Sequence, residues 1–116
     1  MELTLVLWLA EPDRACLRVL RPEQMEKLIQ DIEALPKGDP NKLFLRRFIG
    51  SHSAQVTLDG AGRILLPEDM AREAHITDQA AIVGTLIGYE IWNPERFKRS
   101  IDVAPEKQSE AFRMLD

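Results

Sequence analysis

Two stretches of this chain echo each other. Leu17-Arg18-Val19-Leu20-Arg21-Pro22-Glu23-Gln24-Met25 lies over Tyr89-Glu90-Ile91-Trp92-Asn93-Pro94-Glu95-Arg96-Phe97, with the two prolines 72 positions apart. Each runs from a short apolar strand into a proline, a glutamate and the first apolar residue of a helix. Proline suits the first helical position, where its missing N–H costs nothing. Strand–proline–helix junctions are common, but a duplication accounts for the match of strand, proline, glutamate and first helical apolar residue together. The second unit then begins near Val56, and the counterpart of its opening strands would lie before Met1. The chain therefore reads as one and a half repeats, with the front of the first missing.

The rest of the pattern fits this division. Glu2 to Leu9 is a continuous β-rich run, too apolar throughout to face water on alternate residues. Glu11-Pro12-Asp13-Arg14 is a turn, and Cys16 to Leu20 alternates as a second strand. After Pro22, Met25, Leu28, Ile29, Ile32 and Leu35 share one helical face, and Pro36-Lys37-Gly38 ends the helix. Asp39-Pro40 is a cap-and-proline start for another helix, which buries Leu43, Phe44 and Phe48 and stops at Gly50. Ala54, Val56 and Leu58 alternate as a strand, Asp59 to Gly62 turns, and Arg63 to Leu66 is expected to form the next strand. Pro67 opens a short helix with Met70, Ala71 and Ala74. Ala80–Gly84 and Tyr89–Trp92 are two more strands, and Pro94 starts a helix with Phe97 and Ile101 one turn apart. Beyond Val103 the tail is polar, with Ala111, Phe112, Met114 and Leu115 as an apolar stripe.

With 116 residues, 45% of them hydrophobic and 29% charged, the chain has the size and composition of one soluble globular domain. No apolar run reaches the roughly 18 residues of a membrane span. The apolar start carries Glu2 and has no basic flank or cleavage site, so it reads as a strand and not as a signal peptide. Cys16 is the sole cysteine, which excludes an internal disulfide, a thiolate zinc site and a CxxC pair, and places the expected compartment in the cytoplasm. The net charge of −4 and pI near 5.2 count against a simple nucleic-acid binder, although placement of arginines matters more than their total.

Asp59-Gly60-Ala61-Gly62-Arg63 carries the most chemical information. Asp59 can accept backbone N–H groups of the turn, and the glycines supply positive φ. Arg63 then stands at a rigid corner, with a planar fork suited to phosphate or to guanine O6 and N7. By itself the motif reads first as an ordinary Asp-Gly turn whose arginine pairs with Asp59 or another carboxylate.

The wider string shifts the balance towards a nucleic-acid contact. Val56-Thr57-Leu58-Asp59-Gly60-Ala61-Gly62-Arg63-Ile64-Leu65-Leu66-Pro67 resembles the D-x-x-G-R segment of the MraZ family, in the AbrB-like, swapped-hairpin superfamily. Ala81-Ile82-Val83-Gly84 followed by Tyr89-Glu90-Ile91-Trp92 is similar to that family's "lvG…fEiW" segment. Arg46-Arg47-Phe48-Ile49-Gly50-Ser51-His52-Ser53-Ala54 is similar to its inter-repeat helix and connection. The resemblance is specific from Arg46 to Phe97 and weaker over residues 1–45. It implies an α+β fold: a swapped-hairpin AbrB-like β-barrel with flanking helices and a pseudo-two-fold repeat, the first repeat incomplete. The divisions would be 1–50 for the partial first repeat with inter-repeat helices, 51–103 for the second repeat and 104–116 for the tail.

What the resemblance implies about function is a DNA-binding transcriptional regulator. It would bind repeated promoter sequences of the division and cell-wall gene cluster as a ring-like homo-oligomer, in the cytoplasm and associated with the nucleoid. Asp59, Gly60, Gly62 and Arg63 match the DNA-contacting motif, and Arg46 and Arg47 join them as a basic stretch. The partner is double-stranded DNA, with no membrane and no small-molecule substrate. The first repeat's own D-x-x-G-R is absent, which halves the contacts per chain. An oligomeric structural or adaptor domain that has lost DNA binding is the alternative, and salt-dependent promoter binding separates the two. An antitoxin module would need a longer tail than the one after Asp102.

Nothing points to catalysis or a cofactor. His52 beside Ser51 and Ser53 lacks a third, orienting group. His75 lies at a helix end, where a cation favours the dipole. No His or Cys has ligand spacing for a metal. Glu90 and Glu95 have no neighbours to split their pKa values, and a solvated surface or intersubunit ion pairs suit them better. Trp8 and Trp92 are expected as core or interface anchors.

Overall fold

A computed structural model describes residues 1–9 and 14–116. Its elements are β1 (Glu2–Leu9), β2 (Ala15–Leu20), α1 (Pro22–Glu33), α2 (Pro40–Ser51), β3 (Ser53–Thr57), α3 (Glu68–Glu73), β4 (Ala81–Gly84), β5 (Tyr89–Trp92), α4 (Pro94–Ile101) and α5 (Pro105–Arg113). The five strands form one antiparallel sheet in the order β3-β1-β2-β5-β4. The turn expected over Glu11 to Arg14 lies outside the described residues, Arg14 excepted.

Period-two alternation assigns the two sheet faces. On one face, Leu5, Leu7, Ala15, Leu17 and Ile91 form a core with Met70 of α3 and with Ala74 and Ile76, which follow it. On the other, Val6 packs with Ile32 of α1 and Ile49 of α2, joined by Trp8, Leu20, Met25, Leu28, Leu45 and Phe48. The central strands are covered on both sides, which explains the unbroken apolar run of β1. Leu5, Val6 and Leu17 are fully buried, each stabilising the fold by about 1.5–3 kcal/mol.

The helices begin where capping chemistry directs. Asp39 accepts from Asn41 N ahead of Pro40, and Asn93 accepts from Arg96 N ahead of Pro94. At the start of α1 the Arg21 N–H donates instead to Gln24 Oε1 at 2.9 Å. α3 closes in a Schellman turn: His75 N–H donates to Arg72 O and Ile76 N–H to Ala71 O, with His75 at φ 59 in the position usually held by glycine.

The sheet register sets the two echoing segments side by side. β2 and β5 are adjacent and antiparallel, with Arg18 opposite Glu90, Leu17 opposite Ile91 and Val19 opposite Tyr89. Arg18 and Glu90 are also equivalent in the sequence echo, so a two-fold axis through that pair carries each matched segment onto the other. The axis extends to the outer strands. Thr4 lies opposite Leu20 as Ala81 lies opposite Trp92, so Thr4, Leu5 and Val6 correspond to Ala81, Ile82 and Val83.

Several expectations need correction. The α+β class stands, but the sheet is open and does not close into a barrel; β3 and β4 are its edges. Arg63 to Leu66 is not a paired strand. It keeps a strand's alternation, with Ile64 and Leu66 packed on the core and Leu65 exposed, yet it has no ladder, because no strand among the described residues lies alongside to accept one. Ile29, Leu43 and Phe44 are largely exposed where burial was expected, since nothing among the described residues encloses those faces. The tail forms a helix, α5, whose residues are exposed throughout.

Candidate nucleic-acid interface

The Asp59 turn is built from its backbone upward. Gly62 N–H donates to Asp59 O at 3.0 Å, and Asp59 N–H donates to Arg63 O at 2.9 Å. Gly62 has φ +78. This is a three-residue hairpin loop, a tight turn followed by a left-handed residue that forms a bulge. Only Gly62 occupies the left-handed region; Gly60 does not, so one of the two glycines is conformationally required.

Asp59 staples the loop. Its Oδ1 accepts from Ala61 N at 2.9 Å and from Arg63 N at 2.8 Å, while Oδ2 accepts from Arg63 Nε at 3.2 Å. The backbone N–H of Arg63, foremost among these donors, holds the Asp59 carboxyl below its ordinary value. Arg63 is thereby fixed at the corner with its side chain 79% exposed. Only Nε takes part in the pair with Asp59, and neither Nη group has a hydrogen-bond partner among the described residues, which leaves them able to meet a planar acceptor.

The remaining basic residues are placed elsewhere. Arg46 forms a bidentate pair with Glu33, Nε to Oε1 and Nη2 to Oε2, each 2.9 Å, tying α2 to α1. Arg47 points outward from α2, and its guanidinium has no hydrogen-bond or ion-pair partner among the described residues. α2 enters β3 at Ser53, the strand end away from the turn. Asp59, Gly60, Gly62 and Arg63 are thus one unit, which Arg46 and Arg47 do not join. Arg21 stands at the same sheet end as the turn, where its Nε pairs with Glu23 at 2.9 Å.

A polar network at the centre of the sheet was missed. Glu90 Oε1 accepts from Trp92 Nε1 at 2.9 Å, Arg18 Nε faces Glu90 Oε2 at 3.4 Å, and the Arg18 guanidinium lies 3.8 Å over the Trp8 ring. Glu90 is therefore held within the chain and is not a solvated or intersubunit group. The signal was present in the echo, which sets Arg18 over Glu90. Beside it Cys16 is buried, and its thiol is pushed up to about 12 by that burial and by Glu90, which keeps it unreactive. His52 stacks on Phe48 with centroids 4.0 Å apart, its Nδ1 is 2.9 Å from Phe48 O, and Nε2 lies 3.4 Å from Glu73. It joins α2 to α3. Among the described residues no three His, Cys, Asp or Glu side chains gather in a metal-holding group, and no helix is long and apolar enough to cross a membrane.

A family model described as "MraZ protein, putative antitoxin-like" matches residues 49–115. The chain belongs to the MraZ family. The match contains the whole Asp59 turn. A protein named "Transcriptional regulator MraZ" from Rickettsia rickettsii (strain Sheila Smith) is 34% identical over 89 residues, covering 77% of this chain and 60% of the relative. One of the same name from Roseiflexus sp. (strain RS-1) is 36% identical over 83 residues, covering 72% and 58%. The chain thus spans about 60% of the length of the MraZ relatives it matches.

Proposed function

We propose that this chain is a DNA-binding transcriptional regulator of the MraZ type, contacting double-stranded DNA through Arg63 on the Asp59–Gly62 turn. It acts on repeated promoter sequences of the division and cell-wall gene cluster, as a ring-like oligomer on the nucleoid in the cytoplasm. The swapped-hairpin architecture of its superfamily belongs to the same reading. The observation that carries it is the turn itself: a clamped loop presents one largely exposed arginine whose pair with Asp59 uses Nε alone. The family membership and the relatives' name support the same reading. One arginine per chain is a weak contact, but several copies on one ring raise the effective concentration at successive sites. That also accommodates the acidic net charge, since only the face bearing the turns meets DNA.

Fluorescence anisotropy on promoter DNA across a salt series tests it. Arg63→Ala is expected to cost about 1–3 kcal/mol per site if the side chain reads a base, and to flatten the salt slope if it holds a phosphate. Arg46→Ala should change binding little, because that side chain is committed to Glu33. Unchanged affinity and slope for Arg63→Ala would end the assignment, and oligomers that bind no DNA at any salt concentration would favour the adaptor reading.

A further inference from the structure

The segment that leaves the Asp59 turn has two faces. Ile64 and Leu66 pack on the core, while Arg63 and Leu65 alternate with them and are exposed. Leu65 is 86% exposed, so its apolar side chain adds nothing to the core. Its neighbour on the outward face is the arginine of the clamped turn. Two residues of extended chain span about 6.6 Å and successive nucleotides of a strand are about 3.4 Å apart, so Arg63 and Leu65 reach positions at most about two base steps apart. Past Arg63 this stretch has little to hold a phosphate with. Glu68 and Asp69 are acidic, and the next cation, Arg72, has its Nη1 on Asp69 at 3.1 Å. What Leu65 offers is an apolar contact, and at the base edges of the major groove the apolar group is the C5-methyl of thymine.

We propose that Leu65 is a specificity residue of this face and meets the C5-methyl of a thymine beside the group that Arg63 holds. This role rests on the DNA contact proposed for Arg63 and adds a base preference to it. The two side chains are presented together: Asp59 clamps the turn before Arg63, and the packing of Ile64 and Leu66 fixes the segment that carries Leu65. With the Arg63 fork on guanine O6 and N7, the face selects a guanine that has a thymine within about two base steps. A cytosine at the second place has no methyl to offer. Its N4 amine, covered by leucine, would lose water without gaining an acceptor.

The test uses promoter duplex of the division and cell-wall gene cluster in two forms, one natural and one with every thymine replaced by deoxyuridine. The replacement removes the methyl groups and keeps base pairing and charge. The unaltered chain, Leu65→Ala and Arg63→Ala are each titrated against both by fluorescence anisotropy. The unaltered chain is expected to bind the deoxyuridine duplex about fourfold more weakly per contacted site, the effect of one methyl group left unburied. Leu65→Ala should lose a similar factor on natural DNA and be indifferent to deoxyuridine. It should also keep its salt slope and unfolding midpoint, since it removes neither a charge nor a core contact. Indifference of the unaltered chain to deoxyuridine, a full loss on deoxyuridine by Leu65→Ala, or a changed salt slope for that variant would each overturn the proposal. So would smaller assemblies of Leu65→Ala in light scattering, which would place the side chain between copies of the chain. Weaker binding by Arg63→Ala, with no effect of Leu65→Ala or of the methyl groups, would remove the role of Leu65 and keep that of Arg63. A natural duplex bound at no salt concentration would remove both.

Discussion

The strand pair β1–β2 and the strand pair β4–β5 are two versions of one pattern, related through Arg18 and Glu90, yet only the first is enclosed. Both have an apolar strand paired antiparallel with one that leads into a proline-started helix. What separates them is the cover supplied by β3 and by the α3 segment, which encloses the first pair but reaches Ile91 of the second and leaves Ile82 and Tyr89 exposed. An apolar side chain on a strand is buried by what lies over it, so equal sequence roles yield unequal stabilities. The tight turns differ in the same way. The Asp59 turn assigns its left-handed residue to Gly62, whereas the β4–β5 hairpin, closed by Thr85 N–H to Gly88 O at 2.9 Å, sets Leu86 at φ 75 with its side chain in solvent. Leucine there is strained and contributes no packing in return.

The largest effect expected from this contrast is in the core. Leu5→Ala should destabilise the chain by about 2–5 kcal/mol in urea unfolding, while Ile82→Ala should remain within about 0.5 kcal/mol. Comparable losses at the two positions would break the comparison, because they would mean that β4 is covered in solution.

A smaller effect sharpens the contrast between the turns. Gly62→Ala forces a Cβ into the left-handed region and should cost about 1 kcal/mol, although the site has open space around it. Leu86→Gly relieves the corresponding strain and should stabilise by up to about 1 kcal/mol, net of the entropy glycine adds to the unfolded chain. Gly60→Ala, outside the left-handed region, should be nearly silent. Thermal unfolding of the three variants measures all of this; Gly60→Ala and Gly62→Ala behaving alike would remove the assigned role of Gly62.

The smallest effect is electrostatic and confined to the covered side. Asp59 has a folded pKa below its ordinary 3.8, so its contribution to the turn is complete above that value and is lost as pH falls through the lower folded one. In an NMR titration the Ala61 and Arg63 amides should move together with a midpoint below 3.8, while the Thr85–Gly88 hairpin stays still. A midpoint at or above the ordinary value would show that the amides do not hold the carboxylate.

Much of this was legible in the chain itself. The prolines at 22, 40 and 94, with Asp39 and Asn93 before two of them, mark helix starts through local chemistry alone. The Asp59 turn is equally local: a carboxylate, a glycine three positions from it and an arginine next in line suffice to form and brace it. Even the central Arg18–Glu90 pair was encoded, as matched positions of a repeat. Tertiary structure decided what depends on neighbours distant in sequence: that Arg46 is spent on Glu33, that Arg63 to Leu66 alternates like a strand without a ladder, and that Leu5 is enclosed while Ile82 is bare. Periodicity states which side of a strand is apolar, but burial and pairing require a second surface, and only the assembled fold determines where one is present.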